Sequence, residues 1–215
     1  MTDLTERLSR CYSGAVYDVL RDLGHSACVL PRDIRAIDPG TRVAGPVFTL
    51  SGRPNDQLTP DESLRRWTEF LAVAPPAHVV VCQPRDDVRA LMGELSAETL
   101  QHRGVLGYIV DGGCRDNAFI RKMGFPVFAR YQTPRDIVAA WSYDAFGEPI
   151  RIGELTIATG DYVLADIDGV VVIPAALAED VVSGVETVMQ TENLVRKAIL
   201  SGVDPREAYL RYGKF

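Results

Sequence analysis

Apolar positions along this chain recur at two periods, and the places where the period changes mark the elements. Three- and four-residue spacing opens it. A helix is predicted near Thr2–Cys11, then a second that Ser13 can cap, with Val16, Val19, Leu20 and Leu23 on one face and Gly24 ending the run. Arg42–Ser51 reads as a strand, Asn55–Pro60 as a polar loop, and the stretch from Asp61 as a helix carrying Leu64, Trp67 and Leu71. Strand and helix patterns then alternate: strand His78–Gln83, a helix near Leu95–Arg103, strand Gly107–Val110, a helix near Asn117–Met123 and strand Pro126–Ala129. Such alternation predicts a parallel or mixed sheet with functional loops at the carboxyl ends of its strands.

From Pro149 to Pro174 the pattern changes. Arg151–Ala158, Tyr162–Asp166 and Val170–Ile173 are short and rich in β-branched residues, separated by Gly160-Asp161 and Asp168-Gly169. That predicts a β-meander, with Asp166 and Asp168 flanking a hairpin turn. A long helix from about Ala176 to Leu200 carries a buried stripe of Val181, Val185, Val188, Val195 and Ile199, and Glu192 falls on that stripe. A carboxylate there needs a partner, either Arg196 four residues on or a group outside the helix. Asp204, Pro205 and Glu207 form a capping pattern for a last short helix, with Gly213 beyond it. The whole reads as one α/β domain over residues 1–215, β-rich in its second half and closed by a C-terminal helical tail.

Composition narrows the functions. With 47% apolar and 24% charged residues the chain supports a packed core, which excludes a disordered protein. A net charge of −6 argues against nonspecific binding of nucleic acid or an anionic membrane, yet not against a small anion met by a local arginine. The longest apolar stretch, Gly169–Ala178, is too short to span a bilayer. Cys11, Cys28, Cys82 and Cys114 lie far apart without metal-type spacing, and no leader is expected, which points to reduced thiols in a cytoplasm. His25, His78 and His102 are scattered, so neither a zinc site nor a catalytic triad is expected. There is no phosphate loop and no dinucleotide fingerprint.

The chemistry concentrates in two segments. Gly107-Tyr108-Ile109-Val110-Asp111-Gly112-Gly113-Cys114-Arg115-Asp116 is an apolar run that ends in two glycines, then sets a cation beside a carboxylate where a helix begins. Glycines permit sharp turns and close approach to a ligand. The Arg115 fork fits a carboxylate, and Asp116 offers hard oxygens that suit Mg²⁺ or Mn²⁺. In Gly93-Glu94-Leu95-Ser96 a glycine loop runs into a helix, presenting free N–H groups to a carboxylate or enolate oxygen, with Glu94 as a second carboxylate. The plainer alternatives are a helix-capping Arg115-Asp116 pair and an ordinary loop at Gly93–Ser96. Cys114 reads either as a nucleophile activated by Arg115 or as a buried thiol. Organic acid and metal held at one strand tip suggest a metal-dependent lyase acting on a 2-keto acid.

These residues resemble the 4-hydroxy-4-methyl-2-oxoglutarate / 4-carboxy-4-hydroxy-2-oxoadipate aldolase family, part of the RraA-like superfamily that includes the regulator of RNase E activity. The resemblance runs over nearly the whole chain. It takes in Tyr17-Asp18-Val19-Leu20 with Leu23-Gly24, Gly93–Ser96, Asp111–Asp116, Gly124-Phe125-Pro126-Val127-Phe128-Ala129-Arg130, Gly160–Asp166 and Asp168–Pro174. It implies a class II, metal-dependent pyruvate aldolase on an α/β fold similar to the swivelling β/β/α phosphohistidine domain. It also implies trimers or trimer pairs (hexamers) with sites between subunits. Asp116 would bind Mg²⁺ or Mn²⁺, Arg115 would hold the pyruvyl carboxylate or enolate, and the backbone of Gly93, Glu94, Leu95 and Ser96 would line the substrate. Glu192 would reach the metal's waters from the adjacent subunit, and oxaloacetate decarboxylation would pass through the same enolate. Glu94 stands where that family usually has aspartate, which lengthens the carboxylate's reach by a methylene. Arg53–Arg66, Trp141–Gly147 and the Tyr-Gly-Lys-Phe tail are expected to set selectivity. The alternative is a non-enzymatic regulator binding a ribonuclease or helicase, although such regulators lack the Arg-Asp pair. A methyltransferase is disfavoured because no glycine-rich nucleotide loop follows the first strand.

Overall fold

The computed structural model describes residues 3–214; Thr2, at the start of the expected first helix, and Phe215, at the end of the tail, lie outside them. The chain opens with α1 (Asp3–Ser9) and α2 (Ser13–Asp22), followed by β1 (Arg35–Ala36) and the long strand β2 (Val43–Pro54). There follow α3 (Pro60–Val73), β3 (Val79–Gln83), α4 (Glu94–His102), β4 (Gly107–Cys114), α5 (Asn117–Met123) and β5 (Val127–Gln132). The second half holds β6 (Trp141–Phe146), β7 (Ile150–Ile152), β8 (Leu155–Ile157), β9 (Tyr162–Ala165) and β10 (Val170–Ile173). A single 3₁₀ turn, Ala175–Leu177, leads into α6 (Ala178–Leu200), and α7 (Pro205–Tyr212) ends the chain.

The main sheet has the order β1-β5-β4-β3-β2-β9-β10, and β6 pairs with the far end of β2. Strands β2, β3, β4 and β5 are mutually parallel, as the alternation of strands and helices predicts. Strands β9 and β10 join antiparallel through β2. The expected meander is not formed. Arg151–Ala158 is a hairpin, β7 with β8, that forms its own two-stranded sheet, while β9 and β10 extend the main one. Two strands escaped the periodicity, β1 because it is two residues long and β6 because Trp-Ser-Tyr-Asp-Ala-Phe alternates weakly.

Side-chain alternation explains the layering. Along β3, Val80 and Cys82 enter a core covered by α3, α4 and α5, while Val79 and Val81 enter a second core on the other face. Strand β4 does the same with Tyr108 and Val110 against Ile109, and β5 with Val127 and Ala129 against Phe128. Along β9 and β10, Val163, Ala165, Val170 and Val172 share the second core. Their neighbours Leu164, Val171 and Ile173 enter a third core beneath α1, α2 and α6. Period-two patterning that is apolar on both faces thus builds stacked layers, the expected β/β/α arrangement.

Helix ends show why the local predictions held or shifted. Thr59 and Glu62 form a reciprocal capping box at α3, with Pro60 inside the first turn. Asp204 caps α7 through the N–H groups of Arg206 and Glu207. Ser13, in contrast, does not cap α2. Tyr12 occupies the capping position without a side-chain bond, and Asp166 accepts from the Ser13 N–H at 2.8 Å and hydroxyl at 2.7 Å. Asp166 also accepts from the Asp168 N–H, so it orders the β9–β10 turn and the start of α2 together. Removing it strips acceptors from three donors. Asp166→Ala is expected to lower unfolding stability by about 1–3 kcal/mol, measured by urea denaturation. A wild-type midpoint would show that water replaces the carboxylate without loss.

Candidate functional site

The two chemistry-bearing segments meet at the carboxyl ends of β3, β4 and β5. The chain leaving β3 runs beside the tip of β4: Ala90 bridges Gly113, the Leu91 N–H donates to the Gly113 carbonyl, and the Arg115 N–H to the Met92 carbonyl. Strand β4 therefore continues through Cys114, four residues past its expected end. A Cβ at Gly113 would lie 2.6 Å from both the Arg89 carbonyl oxygen and the Tyr131 ring. This glycine admits neighbouring protein, not a ligand.

Asp86 holds the loop in place. Burial pushes its carboxyl upward, but the N–H groups of Val88 and Arg89 and the Arg89 guanidinium outweigh that and keep it below the usual carboxylate range. Asp111 pairs with Arg130 at 3.1 Å.

Asp116 occupies the capping position of α5 in the left-handed region, φ 57° and ψ 31°, which aspartate tolerates better than most residues. Its side chain makes no capping bond to its own helix. Instead Oδ2 accepts from the Glu94 N–H, at the start of α4, at 3.1 Å. The strand tip thus caps the other helix, so the capping alternative for Asp116 holds, on α4 and not on its own helix. Gly93 allows this approach: a Cβ there would sit 2.8 Å from Asp116 Oδ2 and 3.1 Å from Arg115 Nε. The N–H groups of Leu95 and Ser96 have no protein acceptor among the described residues.

Arg115 lies between two carboxylates, with Nε 3.6 Å from Asp116 and Nη1 3.4 Å from Asp136. All three side chains are well exposed, and pairs of this kind contribute about 0–1 kcal/mol. A ligand carboxylate can therefore displace them at little cost. Asp136 is a residue the sequence reading missed. Its signal was Thr133-Pro134-Arg135-Asp136, a polar turn just beyond β5, at the same edge of the sheet as the other loops.

These groups line a cleft of about 390 Å³. Gly93, Glu94, Leu95, Ser96, Arg115, Asp116 and Asp136 form its charged and backbone side, and Leu64, Trp67 and Leu71 of α3 face it. Trp67 Nε1 donates to Ser96 Oγ at 2.9 Å, which ties α3 to α4. Cys114 does not act here. It is fully buried, and burial, followed by the charge of Asp116, pushes its thiol up to about 12.

Glu192 does not line this cleft. It sits on α6 between the stretch packed on α1 and α2 and the stretch packed on α7, in a groove with Val195, Arg196, Ile199 and Lys214. Its partner is the Tyr12 hydroxyl, and burial together with that bond pushes the phenol up to about 12. Arg196 donates to Asn193 instead, so of the two partners weighed for Glu192 the one outside its helix is found and the Arg196 pair is not made. Of the segments expected to tune the pocket, Arg53–Arg66 and Trp141–Gly147, Leu64 lines the cleft, while Arg53–Gln57, Arg66 and Ser142–Asp144 line a separate polar hollow.

Among known proteins, a 29% identical relative from Halalkalibacterium halodurans is named "Putative 4-hydroxy-4-methyl-2-oxoglutarate aldolase"; the match covers 84% of this chain and 83% of that one. Protein DlpA of Legionella pneumophila is 27% identical over 94% of this chain, which spans only 32% of DlpA. The solved structure of Streptomyces coelicolor RraAS2, described as an unusual member of the RNase ES inhibitor RraA protein family, superposes with a TM-score of 0.82 at 28% identity. That likeness covers 92% of this chain and 98% of RraAS2. The family model described as Aldolase/RraA matches residues 13–172, and the chain belongs to the RraA-like family.

Proposed function

We propose that this cleft catalyses metal-dependent retro-aldol cleavage of a 4-hydroxy-2-keto acid to pyruvate and a carbonyl product, and decarboxylates oxaloacetate through the same enolate. The observation that supports it is the convergence of the Arg115 guanidinium, the Asp116 carboxylate and the amino end of α4 in one cleft. The names of the aldolase relatives point the same way.

The charge balance fits a divalent cation. Glu94, Asp116 and Asp136 bring three carboxylates to the lining and Arg115 brings one positive charge. Among the described residues no three His, Cys, Asp or Glu side chains gather into a complete ligand set. An Mg²⁺ or Mn²⁺ ion held through Asp116 would have to take most of its shell from water and substrate oxygens, as Mg²⁺ commonly does. Such an ion would supply Lewis acidity to the substrate.

The chain's own groups do the rest. Arg115 takes the substrate carboxylate in place of Asp136, with a bidentate geometry a lysine cannot offer. Glu94, through a water, accepts the C4 hydroxyl proton. The O–H pair left on the C4 oxygen becomes the second bond of the carbonyl, the C3–C4 bond breaks, and its pair enters the pyruvate enolate, which takes a proton at C3 from the water beside Glu94. The free N–H groups of Leu95 and Ser96, at the positive end of α4, stabilise the enolate oxygen. Glu192 enters the site of a neighbouring subunit in a trimer or hexamer. Its place on α6, outside its own chain's cleft, is compatible with that role.

Asp116→Ala is expected to lose metal-dependent pyruvate release while its circular dichroism stays wild-type. Turnover near wild-type in Mg²⁺ would remove Asp116 from the mechanism. Arg115→Lys is expected to lower kcat/KM by about a hundredfold or more; full activity would make Arg115 structural. Mixing inactive Asp116→Ala and Glu192→Ala proteins after subunit exchange is expected to restore part of the activity. No recovery after confirmed exchange, or an active monomer, would place Glu192 outside a shared site. Ribonuclease binding without turnover of any keto acid would favour the regulatory alternative.

A further inference from the structure

The polar hollow beside the cleft, about 470 Å³, lies where β6 pairs with the far end of β2. Register sets Arg53 opposite Ser142, the loop residues Asn55–Gln57 follow, and Arg66 comes from α3. Its positive charges are not spent within the hollow. Asp144 accepts from Arg53 at 2.8 Å with one oxygen and from Arg85 at 3.0 Å with the other, so one carboxylate serves two guanidiniums. Asp56, the other lining carboxylate, is exposed and accepts from the Gln57 side chain.

Arg66 pairs with no carboxylate among the described residues. Glu69, three residues on along α3, accepts from the Tyr143 hydroxyl instead. The Arg66 guanidinium lies 4.6 Å from the centre of the Tyr143 ring and donates through Nη2 to the Tyr143 carbonyl at 3.0 Å. Its Nε is buried and has no partner among the described residues. A half-buried cation with an unused donor is costly unless an anion or water answers it.

We propose that this hollow binds a phosphate group, either free or as the monoester of a small metabolite. Two guanidiniums, Arg53 and Arg66, match the charge of a dianion, and their planar forks offer paired donors to its oxygens. An anion that turns Arg66 toward itself breaks no existing bond at Nε. The volume exceeds what phosphate alone fills, which leaves room for the organic part of an ester. Hollow and cleft share no lining residue, so the proposal does not rest on the aldolase reading. Both cations come from one chain, and a neighbouring subunit can either add to the hollow or fill it.

The assembled protein decides between those two. Calorimetric titration with inorganic phosphate, without added divalent metal, is expected to show binding in the millimolar range or tighter. Arg66→Gln is expected to weaken that binding about tenfold or more while the melting temperature stays unchanged. Should that variant not fold, Arg53→Gln, at an exposed position, is expected to weaken binding in the same direction. Arg115→Gln is expected to leave the affinity unaltered. Glycerol 3-phosphate binding tighter than phosphate assigns the site to an ester, and equal affinity assigns it to free phosphate; either supports the hollow. No binding to the wild-type protein, as when a neighbouring subunit fills the hollow, overturns the proposal. Wild-type affinity in folded Arg66→Gln and Arg53→Gln, or loss of binding in Arg115→Gln, overturns it too, the latter by placing the anion in the cleft. Acetate bound as tightly as phosphate would also sink it.

Discussion

Strand β2 is the constraint on which the architecture rests. In twelve residues it pairs antiparallel with β9, then parallel with β3, then antiparallel with β6. Two glycines serve these changes of partner. At Gly45, φ 158°, a Cβ would run to 2.6 Å from the Leu106 side chain; at Gly52, beside the irregularity in the β6 pairing, it would strike the Trp141 ring at 2.0 Å. Through these contacts one strand seats all the layers at once. Trp141 in turn packs edge-on against Trp67, so the position of α3, and with it the apolar wall of the cleft, is referred back to β2.

How much of this was legible follows from range. The parallel core, its helices and the tail could be read because their signals are local: Leu64, Trp67 and Leu71 recur at helical spacing, and Asp204 and Glu207 lie three residues apart. Asp166 capping α2 from 153 residues away leaves no mark in any window of sequence. The same holds for Asp116 and Glu94. The sequence showed two motifs, each with a local explanation as a capping pair or loop, and only the fold turns one carboxylate onto the other motif's helix. Asp136 was missed because a Pro-Arg-Asp turn is common, and its value comes from standing 3.4 Å from Arg115. The Glu192–Arg196 pair had the correct spacing and was still not made, since Tyr12 offered a partner from another element.

The site is correspondingly a joint between elements. The bond from the Glu94 N–H to Asp116 makes the amino end of α4 and the tip of β4 one unit, and Gly93 keeps them in contact. A negative group satisfies one donor of the helix while the next two stay open, so the same helix end is partly neutralised and still receptive to an anion. Arg115 is held loosely on both sides. Strong, buried pairs would have made it a structural residue; exposed pairs beyond 3.3 Å leave its donors exchangeable.

The bond between Trp67 and Ser96 has one more consequence. It joins the two helices that face each other across the cleft, one side chain from each, so the gap between them is set before any ligand arrives. Adaptation of such a site to a bulkier or smaller guest would proceed by exchanging side chains along α3, residue by residue, while the spacing of the two walls stays as built.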